Sequence, residues 1–317
     1  MVKKQNTSDE TQPNNTSSVP HEAATEGFFV RLVDQFTVAW LFLTRIPLPS
    51  WWNKAKVPPV FNPDGTVNEG MENEGIETDN SKETDKSLGM TPLANTVRAW
   101  PVVGLAIGAL SGGMLWGVAN LGLHPLAASF VALSVAALAT GALHEDGLAD
   151  VADGFGGGDT KAKKLRIMRD SRIGAFGVIT LVMMTGFKAS ALAGFNAPGF
   201  AATALLCAHV LSRSFLPMLM VAMPSARKSG LGQGAGVPST ENAVMAAMIG
   251  ILMAVLTLGL GPGLVASAMA GLSVSAIGWL ANRQIQGFTG DVLGAAQQLA
   301  EALIIAGLAV ALRTVFY

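Results

Sequence analysis

From residue 99 onward the chain is a succession of long apolar runs separated by short polar ones. No Asp, Glu, Lys or Arg occurs between Arg98 and Glu145, nor between Glu241 and Arg283, and each run is long enough for two helical spans of roughly 20 residues. His124-Pro125 and Gly261-Pro262 supply the turns inside them. Hydropathy places seven spans, at 99–123, 126–143, 173–195, 200–222, 241–260, 263–281 and 297–316. Upstream, residues 28–45 are apolar but interrupted by Arg31 and Asp34, the pattern of an interfacial or re-entrant helix, and Pro47 and Pro49 end it. The expected fold class is all-α: a polytopic helical bundle in the membrane, with about seven transmembrane helices plus that N-terminal helix.

Composition agrees with a lipid bilayer as the surroundings, since half of the 317 residues are hydrophobic and only 14% are charged, far from the usual soluble balance. Residues 1–26 are rich in Asn, Thr and Ser and hold no apolar signal-peptide core, so a disordered tail is expected there. Residues 28–317 then form one membrane-embedded domain. Within it, residues 62–90 carry eight acidic side chains against two basic ones, the composition of a disordered acidic loop with no chemistry of its own. Cys207 is the one cysteine and lies in an apolar stretch, which excludes a disulfide framework and a thiol metal site.

The distribution of charge says more than its net value of −1. Alternating crossings put the segments 144–172, 223–240 and 282–296 on one side. That side carries Lys161, Lys163, Lys164, Arg166, Arg169, Arg172, Arg227, Lys228 and Arg283, whereas the turns near 124, 197 and 262 carry no charged residue. The positive-inside rule makes the charged side cytoplasmic, and every polar motif falls on it. No nucleic acid is expected as a partner, and a homo-oligomer is left open.

The segment His144–Gly154, HEDGLADVADG, places Asp146, Asp150 and Asp153 at i, i+4 and i+7. In a helix the three carboxylates project from one stripe within about 60° of arc. An oxygen-only set of this kind suits Mg²⁺, which keeps positions open for substrate phosphates; the plain alternative is a solvated acidic face. The segment LRIMRDSRIGAFG, 165–177, sets Arg166, Arg169 and Arg172 on a basic stripe, with Asp170 and Ser171 between the last two. Guanidinium forks fit phosphate oxygens, although such residues also set topology beside a span. Lys188 and Arg213 interrupt apolar spans, where an ionisable group costs on the order of 2.5–3.5 kcal/mol and needs a partner. That partner is a ligand, or for Lys188 an aspartate. His209, level with Lys188 when the two spans fold about residue 197, reads as a core histidine. Gly230 and Gly232, in GLGQGAG, form either a phosphate-cradling loop or a merely flexible one. In GFTGDVLGAAQQLAE, 287–301, Asp291, Gly294, Ala295 and Gln298 share one helical face with Glu301 at its margin. Asp291 is a fourth metal-directed carboxylate or the N-cap of the last span.

Taken in order, FLTRIPLP (42–49), HEDGLADVADG (144–154), IMRDSRIGAFG (167–177), Ser212-Arg213, Gly230-Leu-Gly232 and TGDVLGA (289–295) resemble the cobalamin synthase family, the adenosylcobinamide-GDP ribazoletransferases. The resemblance runs from about residue 28 to the C-terminus. It departs at Glu145, where an apolar residue is expected, and at Phe176, and the 62–90 stretch looks inserted. It implies Mg²⁺-dependent transfer of adenosylcobinamide phosphate from adenosylcobinamide-GDP to α-ribazole or its 5′-phosphate, releasing GMP, at the inner membrane with the site facing the cytoplasm. On that reading Asp146, Asp150, Asp153 and Asp291 hold the metal, and Asp153 or Asp291 takes the hydroxyl proton. Arg169 and Arg172 serve catalysis as phosphate clamps, and Arg166, Ser171, Lys188, Arg213, Gly230 and Gly232 contact substrate. A cation transporter, the alternative class, would spread polar groups through the whole membrane depth.

Overall fold

The computed structural model describes residues 21–49, 52, 93–227 and 236–315, with the backbone alone at 21–30 and 312–315. The expected acidic loop at 62–90, the first twenty residues of the expected tail, and Gly230 and Gly232 lie outside the described residues. Helix α1 spans His21–Leu43, so residues 21–26 are helical where a tail is expected from sequence. A 3-10 turn, Leu93–Ala99, leads into α2, Trp100–Asn120. Then follow α3 (Pro125–Thr140), α4 (Leu143–Gly157), the short α5 (Lys161–Ile167), α6 (Ala175–Ala193), α7 (Pro198–Ala222), α8 (Thr240–Leu258), α9 (Leu260–Ile285) and α10 (Gly290–Val315). Among the described residues there is no strand, only an isolated parallel bridge between Ser225 and Phe288.

Among the described residues six helices are long and apolar enough to cross a bilayer: residues 93–120, α6, α7, α8, α9 and α10. Helices α3 and α4 reach that standard only as a pair, and the pair is bent by 92°. The bend has a local cause. Gly141 and Ala142 both take left-handed backbone, φ 65° and 57°, a conformation that ends a helix at once and costs little at glycine but more at alanine. The end of α1 is fastened at the same corner, where Arg45 N–H donates to Ala139 O at 2.7 Å. Helix α1 is not among the six, in keeping with an interfacial or re-entrant element.

The seven expected segments recur as helices α2, α3 and α6–α10, of which α3 reaches spanning length only together with α4. The largest difference is at the last, which begins two turns earlier than hydropathy places it. Thr289 supplies the reason: its Oγ1 accepts from Val292 N–H at 3.3 Å, so the helix starts at Gly290 and draws the TGDVLGA motif into its first turns. Thr160 does the same for α5, accepting from Lys163 N–H at 3.3 Å, where a plain loop is expected.

Small residues set how closely these helices approach. Gly104, Gly108 and Gly112, one turn apart on α2, lie against the α7 backbone: a Cβ on Gly108 would stand 2.7 Å from Leu206 Cα, and one on Gly112 2.8 Å from Ala202 O. In lipid, where apolar surface alone gives no preference for helix over solvent, such close backbone packing is a main source of association. Large apolar side chains such as Leu121, Leu138, Leu256 and Leu272 point outward instead, the side that lipid covers.

Gly108→Val is therefore expected to force α2 and α7 apart and destabilise the detergent-solubilised protein by ~1–3 kcal/mol. Gly113→Ala, where an added Cβ meets nothing within 4 Å, should be neutral or gain up to ~1 kcal/mol of helix propensity. Thermal unfolding of both variants checks the pair, and equal melting temperatures would remove the packing argument.

Candidate active site

Four of the expected site segments converge at one end of the bundle. The backbone after α7 is stitched to the turn before α10: Ala226 N–H donates to Phe288 O at 2.8 Å and Phe288 N–H to Pro224 O at 2.9 Å. Gly287 permits this because a Cβ there would run into Pro224 O. Helix α5 joins them, its Lys164 ammonium bonding Gln284 Oε1 on α9. Turns drawn together by these bonds place α4, α5 and the first turn of α10 side by side.

Helices α4 and α10 meet at two glycines. A Cβ on Gly147 would stand 2.9 Å from Asp291 O, and one on Gly294 3.1 Å from His144 O. The contact is near backbone to backbone, so the first turn of α10 lies against the aspartate stripe of α4. Asp146 is exposed, Asp150 half-buried, and Asp291 has a side chain 20% exposed. The charge of Asp150 is opposed by those of Asp291, Asp146 and Asp153, and Arg227 is the cation that favours it. Asp291 makes an ion pair with Arg227 Nη2 at 3.0 Å and accepts from Thr289 Oγ1 at 3.2 Å. Because Thr289 already caps α10, the capping duty open to Asp291 in the sequence is filled by its neighbour.

Asp153 has a different duty from the one expected. Its Oδ2 accepts from Gly174 N–H at 2.7 Å and its Oδ1 from Gly177 N–H at 2.9 Å, so both oxygens bind the free amides at the start of α6. A Cβ on Gly174 or Gly177 would run into this carboxylate, which is why glycine occupies both positions of the GAFG segment. Asp153 is 9% exposed. It belongs to the anchor between α4 and α6, leaving Asp146, Asp150 and Asp291 as the carboxylates open to a ligand.

The basic stripe remains at the surface: Arg166, Arg169, Ser171 and Arg172 are all exposed. Arg172 is engaged with Asp170 through Nε and Nη2 at 3.0 and 2.8 Å and through its own N–H at 3.1 Å. These bonds from Arg172, side chain first and backbone second, pull the Asp170 carboxyl down to about 2, so it stays ionised throughout the neutral range. A pair this exposed is easily exchanged for another anion.

Lys188 and Arg213 are not at the mouth. Both are buried, at 4% and 1% exposure, in a polar network within the bundle. Lys188 Nζ donates to Gln298 Oε1 at 2.7 Å and Glu301 Oε2 at 3.1 Å; Gln298 Nε2 donates onward to Glu145 Oε1 at 3.0 Å. The Nδ1 of His209 meets Glu301 Oε1, while Arg213 Nη1 donates to the His209 carbonyl at 3.2 Å. Lys188 is therefore paired internally, but with Glu301 where the expected alternative to a ligand is an aspartate, and Arg213 is enclosed beside it. Glu145, out of place as an unpaired charge in the motif, is held by Gln298.

Sequence reasoning overlooked Arg227, which is visible there only as one positive charge among nine. No local signal could single it out, because its partner Asp291 is 64 positions away and the bridge between Ser225 and Phe288 brings them together.

Comparison with known proteins gives a consistent result. A family model described as cobalamin-5-phosphate synthase matches residues 82–309. The adenosylcobinamide-GDP ribazoletransferase of Bradyrhizobium diazoefficiens is 44% identical over 214 residues, 67% of this chain and 82% of that protein. The protein of the same name from Mesorhizobium japonicum is 41% identical over 220 residues, covering 69% and 85%, and that from Brucella canis 38% over 280, covering 86% and 94%. No solved structure matches the chain significantly.

The two aspartates one turn apart on α4 should respond oppositely to the loss of charge. Asp153→Asn removes one of two amide acceptors at the α6 start and should cost ~1–3 kcal/mol, whereas Asp150→Asn relieves repulsion and should leave thermal stability unchanged or raised. Melting curves of the two purified variants, compared with wild type, decide whether Asp153 is the anchor.

Proposed function

This chain belongs to the cobalamin-5-phosphate synthase family, and on that premise we propose that it is an adenosylcobinamide-GDP ribazoletransferase of cobalamin synthesis. Adenosylcobinamide phosphate passes from its GDP ester to a hydroxyl of α-ribazole or α-ribazole 5′-phosphate. The new P–O bond forms at the phosphorus next to the cobinamide, the diphosphate bridge breaks, and GMP leaves. The single observation that carries the reading is the close contact of α4 and α10 at Gly147 and Gly294, which gathers three ligand-ready carboxylates beside an exposed arginine stripe. The transporter alternative finds no support: the polar groups inside the bundle are paired with one another rather than strung along a path.

The reaction needs cations beside a diphosphate, and we infer Mg²⁺. Among the described residues no three His, Cys, Asp or Glu side chains already stand at metal-holding distance. The donor set nevertheless fits, because Mg²⁺ uses one or two carboxylates and completes its octahedron with water and substrate phosphate. Asp146 and Asp150 would hold it with Asp291 close by, while Asp153, committed to backbone amides, is left out of the set. When bound, the ion would offset diphosphate charge and that of the leaving GMP.

The chain's own residues do the rest. Arg169 and Arg172 lie on the surface loop that follows α5, where guanidinium groups grip the phosphate oxygens; Arg166 and Ser171 extend that surface. Asp291 is the carboxylate placed to take the proton from the attacking hydroxyl, since Thr289 relieves it of capping. Lys188 acts from inside, tying α6 to α10 through Gln298 and Glu301, while His209, which Arg213 bonds on its own helix, ties α7 to Glu301. We place the site at the cytoplasmic face of the inner membrane, because the converged end carries Lys161, Lys163, Lys164, Arg166, Arg169, Arg172, Arg227 and Arg283 and the opposite turns carry no charge.

Two experiments test this reading. Purified protein given adenosylcobinamide-GDP and α-ribazole 5′-phosphate should release GMP only with Mg²⁺ present, and Asp150→Asn should lower turnover by ~10²-fold or more without loss of folded protein. Mg²⁺-independent release would sink the metal assignment. For orientation, cysteines placed at the exposed positions Asn196 and Lys161 in a Cys207→Ala background should differ: a membrane-impermeant maleimide added outside intact cells labels the first and spares the second. The reverse pattern would put the site on the other face.

A further inference from the structure

Arg227 is the cation that the aspartate set meets directly, and its position is unusual in three respects. First, it is tethered. The residues just before it are bonded to the turn before α10, so its guanidinium can swing but its backbone stays beside Asp291. Second, it stands between the two halves of the site. Nη2 lies 3.0 Å from Asp291 Oδ2 and 3.5 Å from the carbonyl of Leu165 on α5, the residue preceding Arg166. Third, it is under-used. A guanidinium carries five donors in a fork that matches two oxygens of a carboxylate or phosphate. Here it makes one ion pair through a single nitrogen, and its buried Nε has no partner.

The charge balance shows what this arrangement is suited to. Asp146, Asp150 and Asp291 bring three negative charges against the one positive charge of Arg227. A divalent ion at Asp146 and Asp150 would repel the guanidinium beside Asp291 while giving Asp291 another cation to face. A diphosphate bound to that ion would offer the displaced guanidinium two oxygens on the side toward Arg166. We propose that Arg227 is a charge-exchange latch: it holds Asp291 while the nucleotide ester is absent and moves to a diphosphate oxygen of the ester when that binds, freeing Asp291. The proposal rests on the metal reading above and deepens it, giving Arg227 a role in binding the nucleotide half of the substrate that follows from its half-satisfied geometry.

A latch makes a prediction that a merely structural arginine does not: its removal changes metal binding and nucleotide binding in opposite directions. The full chain in detergent can be titrated with Mn²⁺ alone, followed by electron paramagnetic resonance, and then with GDP at saturating Mn²⁺. Arg227→Gln should tighten Mn²⁺ by ~3-fold or more, because a positive charge beside the site is gone, and weaken GDP by ~10-fold or more. Arg227→Lys, which keeps the charge and the fold but not the fork, should leave Mn²⁺ affinity near wild type and still weaken GDP several-fold. Mn²⁺ affinity equal or weaker in Arg227→Gln, or GDP affinity unchanged in Arg227→Lys, overturns the latch. Asp150→Asn separates the two failures: if wild-type Mn²⁺ binding survives that substitution, the metal reading is wrong and the latch falls with it, whereas loss of binding leaves the Arg227 results to decide the latch alone.

Discussion

Everything at the converged end depends on how closely α4 and α10 approach. Two glycines, Gly147 and Gly294, let one helix lie on the backbone of the other, and no larger residue could occupy either without moving a helix. That contact sets the phase of α4 with respect to α10, and hence which carboxylates share a space. Asp146 and Asp150 come to face the first turn of α10; Asp153, one further turn along α4, comes to face the start of α6 instead. One i, i+4, i+7 stripe thus produces two side chains beside α10 and one structural anchor.

The interior behind this contact is costly. Lys188, Arg213, Glu301 and the two histidines His144 and His209 are all buried, and each charge there would oppose insertion by several kcal/mol if it stood alone. Breaking one such pair is more damaging than replacing both partners, since it strands the other charge. The network runs from α6 through α10 to α4 by way of Lys188, Gln298 and Glu145, so the helix bearing the aspartates is tied to two membrane-crossing neighbours. Directional bonds of this kind resist rotation of a helix about its axis, which apolar packing alone tolerates.

The fold was legible because lipid imposes a simple rule. Long runs without charge have to be helical spans, and the positions of α2, α3 and α6 to α9 follow from that rule to within a few residues. Its failure at α10 is instructive: Asp291 and the flanking Gly and Thr made residues 289–296 look unlike a span, yet Thr289 caps the helix and Asp291 is paired with Arg227. The aspartate and arginine motifs were legible as chemistry because their spacing puts like charges on one face. What local pattern cannot reveal is the partner. Asp153 and Asp150 are chemically identical in the sequence, and only the amides of Gly174 and Gly177 tell them apart. Arg213 reads as a charge searching for a ligand until α10 brings the charge of Glu301 near it and its own-helix neighbour His209, and Arg227 is unremarkable until Phe288 holds its loop beside Asp291.

The left-handed pair Gly141 and Ala142 has an effect beyond ending α3. A helix turned by 92° leaves the direction of the one before it altogether. The carboxylates of α4 are then carried across the line of α3 instead of continuing along it. The corner built by two residues thus aims the acidic stripe across the bundle, toward the start of α10 that it meets.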